Sequence, residues 1–481
     1  MAYIGKACRF SQRLIDGTDS PFCSDKVVDH SQRVVKVPVK LNKLREDIRS
    51  YDGPSPPRPA DVHLDAAIKL AHDSFSLPAP INPIHLNDFP RADWDKWHTS
   101  PGLPWKNLGF KDKYSVAKDI KDYRWVRCYW HKIKDGNRKP PFDCDAYLGS
   151  IPVENEKVRV IWGYPATTAF QEACFAIPLN RECKKLIAPV RYDNENIRNE
   201  LRNIYTHFEQ EENFLSFEYE NFEKIVPAWL IRIAFNILLK NLDLTKYAER
   251  GIPDPDKLLN AWKYAVYYFI NTPIRLFNGE RYRKRRGIPN GSSFAELVGS
   301  VVNYIVTTYA LLKSGNEVKD MVVCGSSTLA CTSSPVNVEE FVASVAKCGL
   351  LVDGSKIKAG NDIKAMNFLG YSITDEVVNE GKSCENPSSC SSQPIKDQNV
   401  SSVDSSCVSY PDSSIDGTPP CYHRTFRTNS LPPFIYNDYE YNWNAVYDMH
   451  HTASYYLPYV TEMNILPPYD VPLFMPLNVQ Y

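Results

Sequence analysis

Two stretches of the chain space their apolar side chains as one face of a helix does. Pro227 to Leu239 (PAWLIRIAFNILL) carries proline near its start, a favoured place because the missing N–H would have no helical partner there. Phe294 to Leu312 (FAELVGSVVNYIVTTYALL) follows a run of glycines and serines and stops near Gly315, which predicts a second helix. Phe214 to Glu218 and Met321 to Cys324 are short, apolar and rich in strand formers. The second of these runs into Gly325-Ser326-Ser327 and on into Thr-Leu-Ala, the pattern of strand, tight turn, strand. Strands and helices alternate in no regular βαβ rhythm, so the expected fold class is α+β.

The pattern changes texture along the chain. Residues 1–95 mix charge with proline (Gly53 to Pro59) and read as an irregular N-terminal arm, while 96–376 form the expected globular body. From Ser383 to Ser414, 12 of 32 residues are serine, too few large apolar groups to offset the entropy of ordering. This places a disordered linker at 377–421, followed by a C-terminal segment at 422–481 that regains aromatics without a clean period. A net charge of −1 leaves no overall electrostatic bias, so any nucleic-acid surface is a local patch. No uninterrupted apolar run reaches about 18 residues, so no membrane contact is expected. The first eight residues are too short and polar for a signal peptide. Thirteen cysteines fall without Cys-x-x-Cys or zinc spacing, which suits reduced thiols in the cytoplasm.

Four segments carry candidate chemistry. Lys157 and Arg159 lie on one face of an extended stretch, where paired cations hold a triphosphate or form a wet strand face. Glu218 and Glu223 bracket a strand-to-helix passage, suited to a metal and a sugar, or to an acidic solvated segment beside Glu209, Glu211, Glu212 and Glu220. The loop from Gly287 through Gly291 and Ser292 opens a long helix, letting backbone N–H groups approach phosphate or sugar, with Asn303 three turns in; a plain Gly/Ser turn with a helix cap has the same pattern. Arg281, Arg283, Lys284 and Arg285 form a basic run with an aromatic inside it, which suits RNA phosphates, a solvated loop or a nuclear-import signal.

Taken together and in this order, the segments resemble the RNA-dependent RNA polymerases of the partitiviruses over roughly residues 90–375. The likeness is carried by Ser100 to Trp105 (SPGLPW), Arg159 to Thr167 (RVIWGYPAT), Val226 to Arg232, Tyr268 to Leu276, Asn278 to Tyr282, the Gly287 loop, the hairpin around Gly325, and Phe368 to Tyr371 (FLGY). The resemblance implies a right-hand architecture of fingers, palm and thumb, and partners that are an RNA template, nucleoside triphosphates and a viral capsid protein. It implies Mg²⁺ or Mn²⁺ as cofactor and a cytoplasmic or in-virion location. Matched residue by residue, Lys157 and Arg159 contact the triphosphate, and Glu218, Ser326 and Ser327 stand at the metal-binding aspartates. Glu223 and Asn303 read the ribose 2′-hydroxyl, Gly291 and Ser292 form the loop at the nascent pair, and Lys356 protonates the pyrophosphate. Ser100 and Gly102 lie on the template loop.

The departures from that pattern carry as much information as the matches. Serine supplies neither the charge nor the second oxygen of an aspartate, and Mg²⁺ prefers anionic oxygen. Glu218 adds a methylene that displaces its carboxylate by about 1.5 Å, and misplacement on that scale costs about a hundredfold. Ala295 replaces a family threonine, Glu223 lengthens the sugar-reading acid, and the serine-rich stretch falls where the thumb should begin. Two readings follow: a polymerase impaired at its metal site, and a non-catalytic RNA-binding relic of a captured viral polymerase.

Overall fold

The strands predicted around residues 214 and 321 belong to a four-stranded antiparallel sheet, the first inside it and the second at its edge. Its order is Lys358–Gly360, Phe214–Glu218, Ser327–Thr332, Val318–Cys324. The computed structural model describes residues 41–148, 160–186 and 200–373 in full, and the backbone course of 2–6, 34–35, 151–152 and 197–199. All fall in the first of the two units into which the chain divides. The expected linker at 377–421 and the segment 422–481 lie outside the described residues.

The sheet strands lack a polar face because both faces are covered. Successive side chains point to opposite sides. Leu215, Phe217, Met321, Val323 and Ala330 enter the main core, while Phe214, Val322, Cys324, Leu329 and Cys331 enter a second, smaller one. The second core is closed by Leu201, Ile204 and Phe208 of helix Ile197–Phe208 and by Ile363, Met366, Phe368 and Ile373. Burying each such side chain contributes roughly 1.5–3 kcal/mol, so the sheet is held from two sides.

The helix predicted from Phe294 is Ala295–Lys313, with Phe294 as its N-cap residue. It packs on helices Val62–Ser74, Ala228–Leu239 and Val338–Lys347 and on the strand Val318–Cys324. It is also long and apolar enough to suit a membrane span, contrary to the expectation that no segment would be. However, 83% of its most apolar window is buried inside the protein, which makes it a core helix. Helix Ala228–Leu239 starts where the pattern placed it, with Pro227 as N-cap.

A second sheet has the order Ala2–Lys6, Glu280–Arg283, Pro273–Arg275, Cys144–Leu148, Val160–Gly163, antiparallel except where Cys144–Leu148 meets Pro273–Arg275. The stretch read as an irregular arm contributes to the main core. Helices Leu41–Arg49 and Val62–Ser74 bury Leu44, Ile48, Leu64, Ala67 and Ala71 there, so the body begins well before residue 96. Proline between the two helices hides their short periods in the sequence, and their partners come from far along the chain, among them Cys144–Leu148, Ala228–Leu239 and Ala295–Lys313. Arg286, for one, donates to the carbonyls of Ser50, Tyr51, Asp52 and Pro54.

Candidate active site

Gly325 and Ser326 form the two-residue turn between the strands Val318–Cys324 and Ser327–Thr332. Gly325 has φ +54 and Ser326 does not share the positive value, the pattern of a II′ hairpin turn, which needs glycine first. The register sets Ser327 opposite both Cys324 and Glu218, so the first acid of the resemblance and the second serine face one another across neighbouring strands. Tyr219 N–H donates to Ser326 O at 3.0 Å. Glu218 is exposed, Ser326 half-buried and Ser327 buried.

The serine at 327 is already engaged. Its hydroxyl accepts the Leu369 N–H at 2.9 Å, which fixes the Phe368-Leu-Gly-Tyr turn, where Leu369 itself has φ +53. From below, the central helix grips the tip. Gly299 brings the helix so close that an added Cβ would stand 3.5 Å from Gly325 Cα. Ser300 Oγ accepts the Gly325 N–H at 3.0 Å. Asn303, fully buried, donates to Gly325 O (2.9 Å) and Ser327 O (3.1 Å) and accepts from Thr328 (2.7 Å) and Thr307 (3.1 Å). A sugar hydroxyl gains Asn303 only if one of these bonds is given up. This pinning role was not legible from spacing.

The glycine-rich loop stands beside the tip and is tied to the Glu223 segment. Ile288 N–H donates to Glu223 O and Gly287 N–H to Val226 O, both at 2.7 Å, and a Cβ on Gly287 would meet Glu223 O at 2.5 Å. The Glu223 carboxylate is on an exposed residue. Behind the loop, Ser292 is buried and donates to Glu172 Oε2 at 2.7 Å, while Lys96 Nζ donates to Ser292 O at 2.6 Å. Lys356 reaches the same end of the sheet through an ion pair with Glu220 (3.0 Å) and one with Asp353 (2.9 Å), and these partners hold its ammonium above the ordinary range. Lys157 and Arg159 lie outside the described residues.

The template-loop candidates pack against the second sheet's exit. Gly102 has φ +65, and a Cβ there would stand 2.6 Å from Gly163 O, so only glycine fits. Ala166 N–H donates to Pro101 O at 2.8 Å, and buried Lys113 donates to Ser100 O and Thr99 Oγ. Burial, with Lys96 nearby, pushes the Lys113 ammonium down to about 7.

The basic run faces inward more than a nucleic-acid patch would. Lys284 is fully buried, its ammonium donating to the carbonyls of Phe269, Ile270 and Gly287, so it is not presented to RNA. Arg281 is spent on Asp143, which also binds Arg275; burial pushes that carboxyl up, but the two guanidiniums outweigh it and hold it below the usual range. Arg283 lies half-buried in the strand Glu280–Arg283, and Arg285 is exposed.

At the three matched metal positions, the tip therefore offers one carboxylate and two hydroxyls, one of them occupied. Among the described residues no three His, Cys, Asp or Glu side chains gather into a metal-binding group. This donor set does not fit a pair of Mg²⁺ or Mn²⁺ ions, which need anionic oxygens to hold the two ions about 4 Å apart.

Residues 23–393 match the family model described as viral RNA-dependent RNA polymerase, which is most of the chain. The chain is also 28% identical over 226 residues to the RNA-directed RNA polymerase of Cryptosporidium parvum virus 1 (strain KSU-1); the match covers 45% of this chain and 39% of that protein, well under half of the relative's length. With its mixed helices and sheets and its hairpin opposed by the Glu218 strand, the chain belongs to the viral RNA-dependent RNA polymerase family.

Proposed function

We propose that this chain is the fingers-and-palm body of a partitivirus-type RNA-directed RNA polymerase that holds template and nucleotide but joins nucleotides poorly. The four-stranded sheet and its hairpin support the palm reading, and the second sheet with the Ser100–Trp105 loop supports the fingers reading. The observation that carries the impairment is Ser327, which opposes Glu218 and already accepts the Leu369 N–H. Losing a metal's charge stabilisation costs several kcal/mol of barrier, so the expected rate deficit is at least about a thousandfold. The partners on this reading are an RNA template and nucleoside triphosphates, with a capsid protein and a cytoplasmic or in-virion location if a virus carries the gene.

The same tip favours a second reading, a non-catalytic RNA-binding relic of a captured polymerase. Incorporation of labelled nucleotide on single-stranded RNA, in Mg²⁺ and in Mn²⁺, separates the two. The chain is run beside Glu218→Asp/Ser326→Asp/Ser327→Asp, with RNA binding followed by fluorescence anisotropy. A large gain in the triple variant supports the impaired polymerase. Silence from both with RNA still bound supports the relic. Full activity of the unaltered chain overturns the impairment, and absence of RNA binding by either protein overturns both readings.

A further inference from the structure

The Gly291–Ser293 turn is held from behind by a group that the polymerase reading leaves unused. Glu172 sits within helix Ala166–Cys183, fully buried. Its Oε2 accepts the Ser292 hydroxyl at 2.7 Å and its Oε1 accepts the Tyr164 hydroxyl. Tyr164 also shapes the turn by bulk, since a Cβ on Gly291 would stand 2.9 Å from Tyr164 Cβ, where the backbone has φ +95. Ser292 Oγ in turn accepts the Phe294 N–H at 3.2 Å, at the cap of the helix that carries Ser300 and Asn303 to the hairpin tip. An unbroken line of contacts thus runs from Glu172 through the turn to the tip.

An acid is an expensive way to fill that position. Well-packed apolar side chains serve stability as well or better than a buried charge, so a buried carboxyl at a loop anchor is a candidate for a functional role. Ionised, it accepts from both hydroxyls. Protonated, it must donate from one oxygen, and one of the two hydroxyls has to reverse or let go.

We propose that Glu172 is the positioning residue of this turn: its carboxylate, acting through Ser292 and Tyr164, holds Gly291–Ser293 in the shape that receives the incoming nucleotide, and protonation releases it. The nucleotide half of this proposal rests on the polymerase reading above. Burial pushes the Glu172 carboxyl up to about 7, against the pull of Tyr164, Ser292 and Lys96, so both forms are populated near neutrality. The groups that face it keep their own states for stated reasons. Burial pushes the Tyr164 hydroxyl well above its ordinary value and raises the Cys144 thiol, so both stay protonated. Burial lowers the Lys96 and Lys284 ammoniums. Lys113 beside Lys96 is pushed down to about 7 as well, so the test compares variants at Glu172 itself. The linkage sign follows from a raised acid: the folded state binds the extra proton, and stability is lost as pH rises from about 4.5 through about 7.

The test is hydrogen exchange of peptides spanning 288–295, corrected for intrinsic rates, between about pH 5.5 and 8.5, with and without nucleoside triphosphate. Wild type, Glu172→Gln, Glu172→Asp and Ser292→Ala are compared, the last keeping the buried acid if Glu172→Gln fails to fold. In wild type the Phe294 amide gains about tenfold protection through a midpoint near 7, the worth of one hydrogen bond, and Glu172→Gln stays at its low-pH level throughout. Glu172→Asp recovers a pH step, which a merely space-filling role would not. Protection that does not vary with pH, or that Glu172→Gln shares, overturns the anchor. Without nucleotide, the exchange step stands or falls by itself. If it is present but no nucleotide binds at any pH, the polymerase reading fails and only the anchor survives. If nucleotide binds equally to wild type and Glu172→Gln across the range, the positioning role is overturned while the polymerase reading stands.

Discussion

Replacing Asn303 by alanine removes an amide with four hydrogen bonds, three tying the central helix to the hairpin and one to Thr307 of the helix itself. The cost follows from what each partner can do next. Gly325 is half-exposed, so its carbonyl falls back on water at small cost, whereas Ser327 is only 2% exposed and its carbonyl loses a donor. Thr307 keeps its contact with the Tyr219 hydroxyl at 2.9 Å, but Thr328 is fully buried. At about 1 kcal/mol for each of the two bonds whose partner is rescued and about 1–3 for each of the two left buried, the sum is about 4–8 kcal/mol. In a chain of this size that lowers Tm by about 8–16 °C, near 2 °C per kcal/mol. Urea unfolding gives the free energy, and hydrogen exchange at Cys324–Ser327 shows whether the loss is centred on the tip. Asn303→Asp keeps the shape but turns an acceptor oxygen toward two carbonyls. Its deficit is at least as large near neutrality and shrinks at low pH, where protonation restores a donor. A loss below about 1 kcal/mol, or unchanged exchange at the hairpin, refutes the pinning argument.

Asp143→Asn leaves Arg275 and Arg281 without their buried counter-charge and is expected to cost about 3–5 kcal/mol in thermal or urea unfolding. Because the folded carboxyl is held below its ordinary value of 3.8, wild type loses this stability as pH falls through the depressed value, and the variant shows no such loss. Gly291→Ala strains a backbone at φ +95 and drives a methyl to 2.9 Å from Tyr164 Cβ, so nucleotide affinity falls and stability drops by about 1–3 kcal/mol; an unchanged Tm counts against the close approach. On RNA, Arg285→Ala lowers affinity and reduces the salt slope by about one, whereas Lys284→Met leaves the slope alone and lowers stability; the opposite pattern overturns the inward placement of Lys284.

The long apolar periods were readable because they serve local packing. Phe214–Glu218 is the strand its apolar strand formers announced, and Pro227 and Phe294 stand at the caps of the helices drawn from spacing. The hairpin tip was readable too, since glycine at a turn has a backbone reason. What spacing does not encode is direction. Asn303 was placed near the cleft but not under it, because three of its four partners belong to the hairpin. The basic run was read by charge, while burial of Lys284 and pairing of Arg281 depend on segments that lie far off in sequence or fold back locally. Glu172 and Asp143 left no signal at all. Each is an acid in an ordinary stretch, and only the fold shows that each is fully enclosed.

The sheet beneath the tip is clamped by two apolar cores, and neither draws on the residues at 218, 326 or 327 for its packing. The register nevertheless sets positions 218 and 327 directly opposite, where two like charges repel one another unless a cation lies between them. An acidic tip is therefore a burden on the fold that only chemistry justifies. A lineage released from selection for that chemistry gains a little stability with each acid it loses, and the scaffold has no reason to decay along with the reaction. On the impaired reading proposed above, durability and activity part company at this hairpin, and a silent copy would persist as a folded protein long after its last turnover.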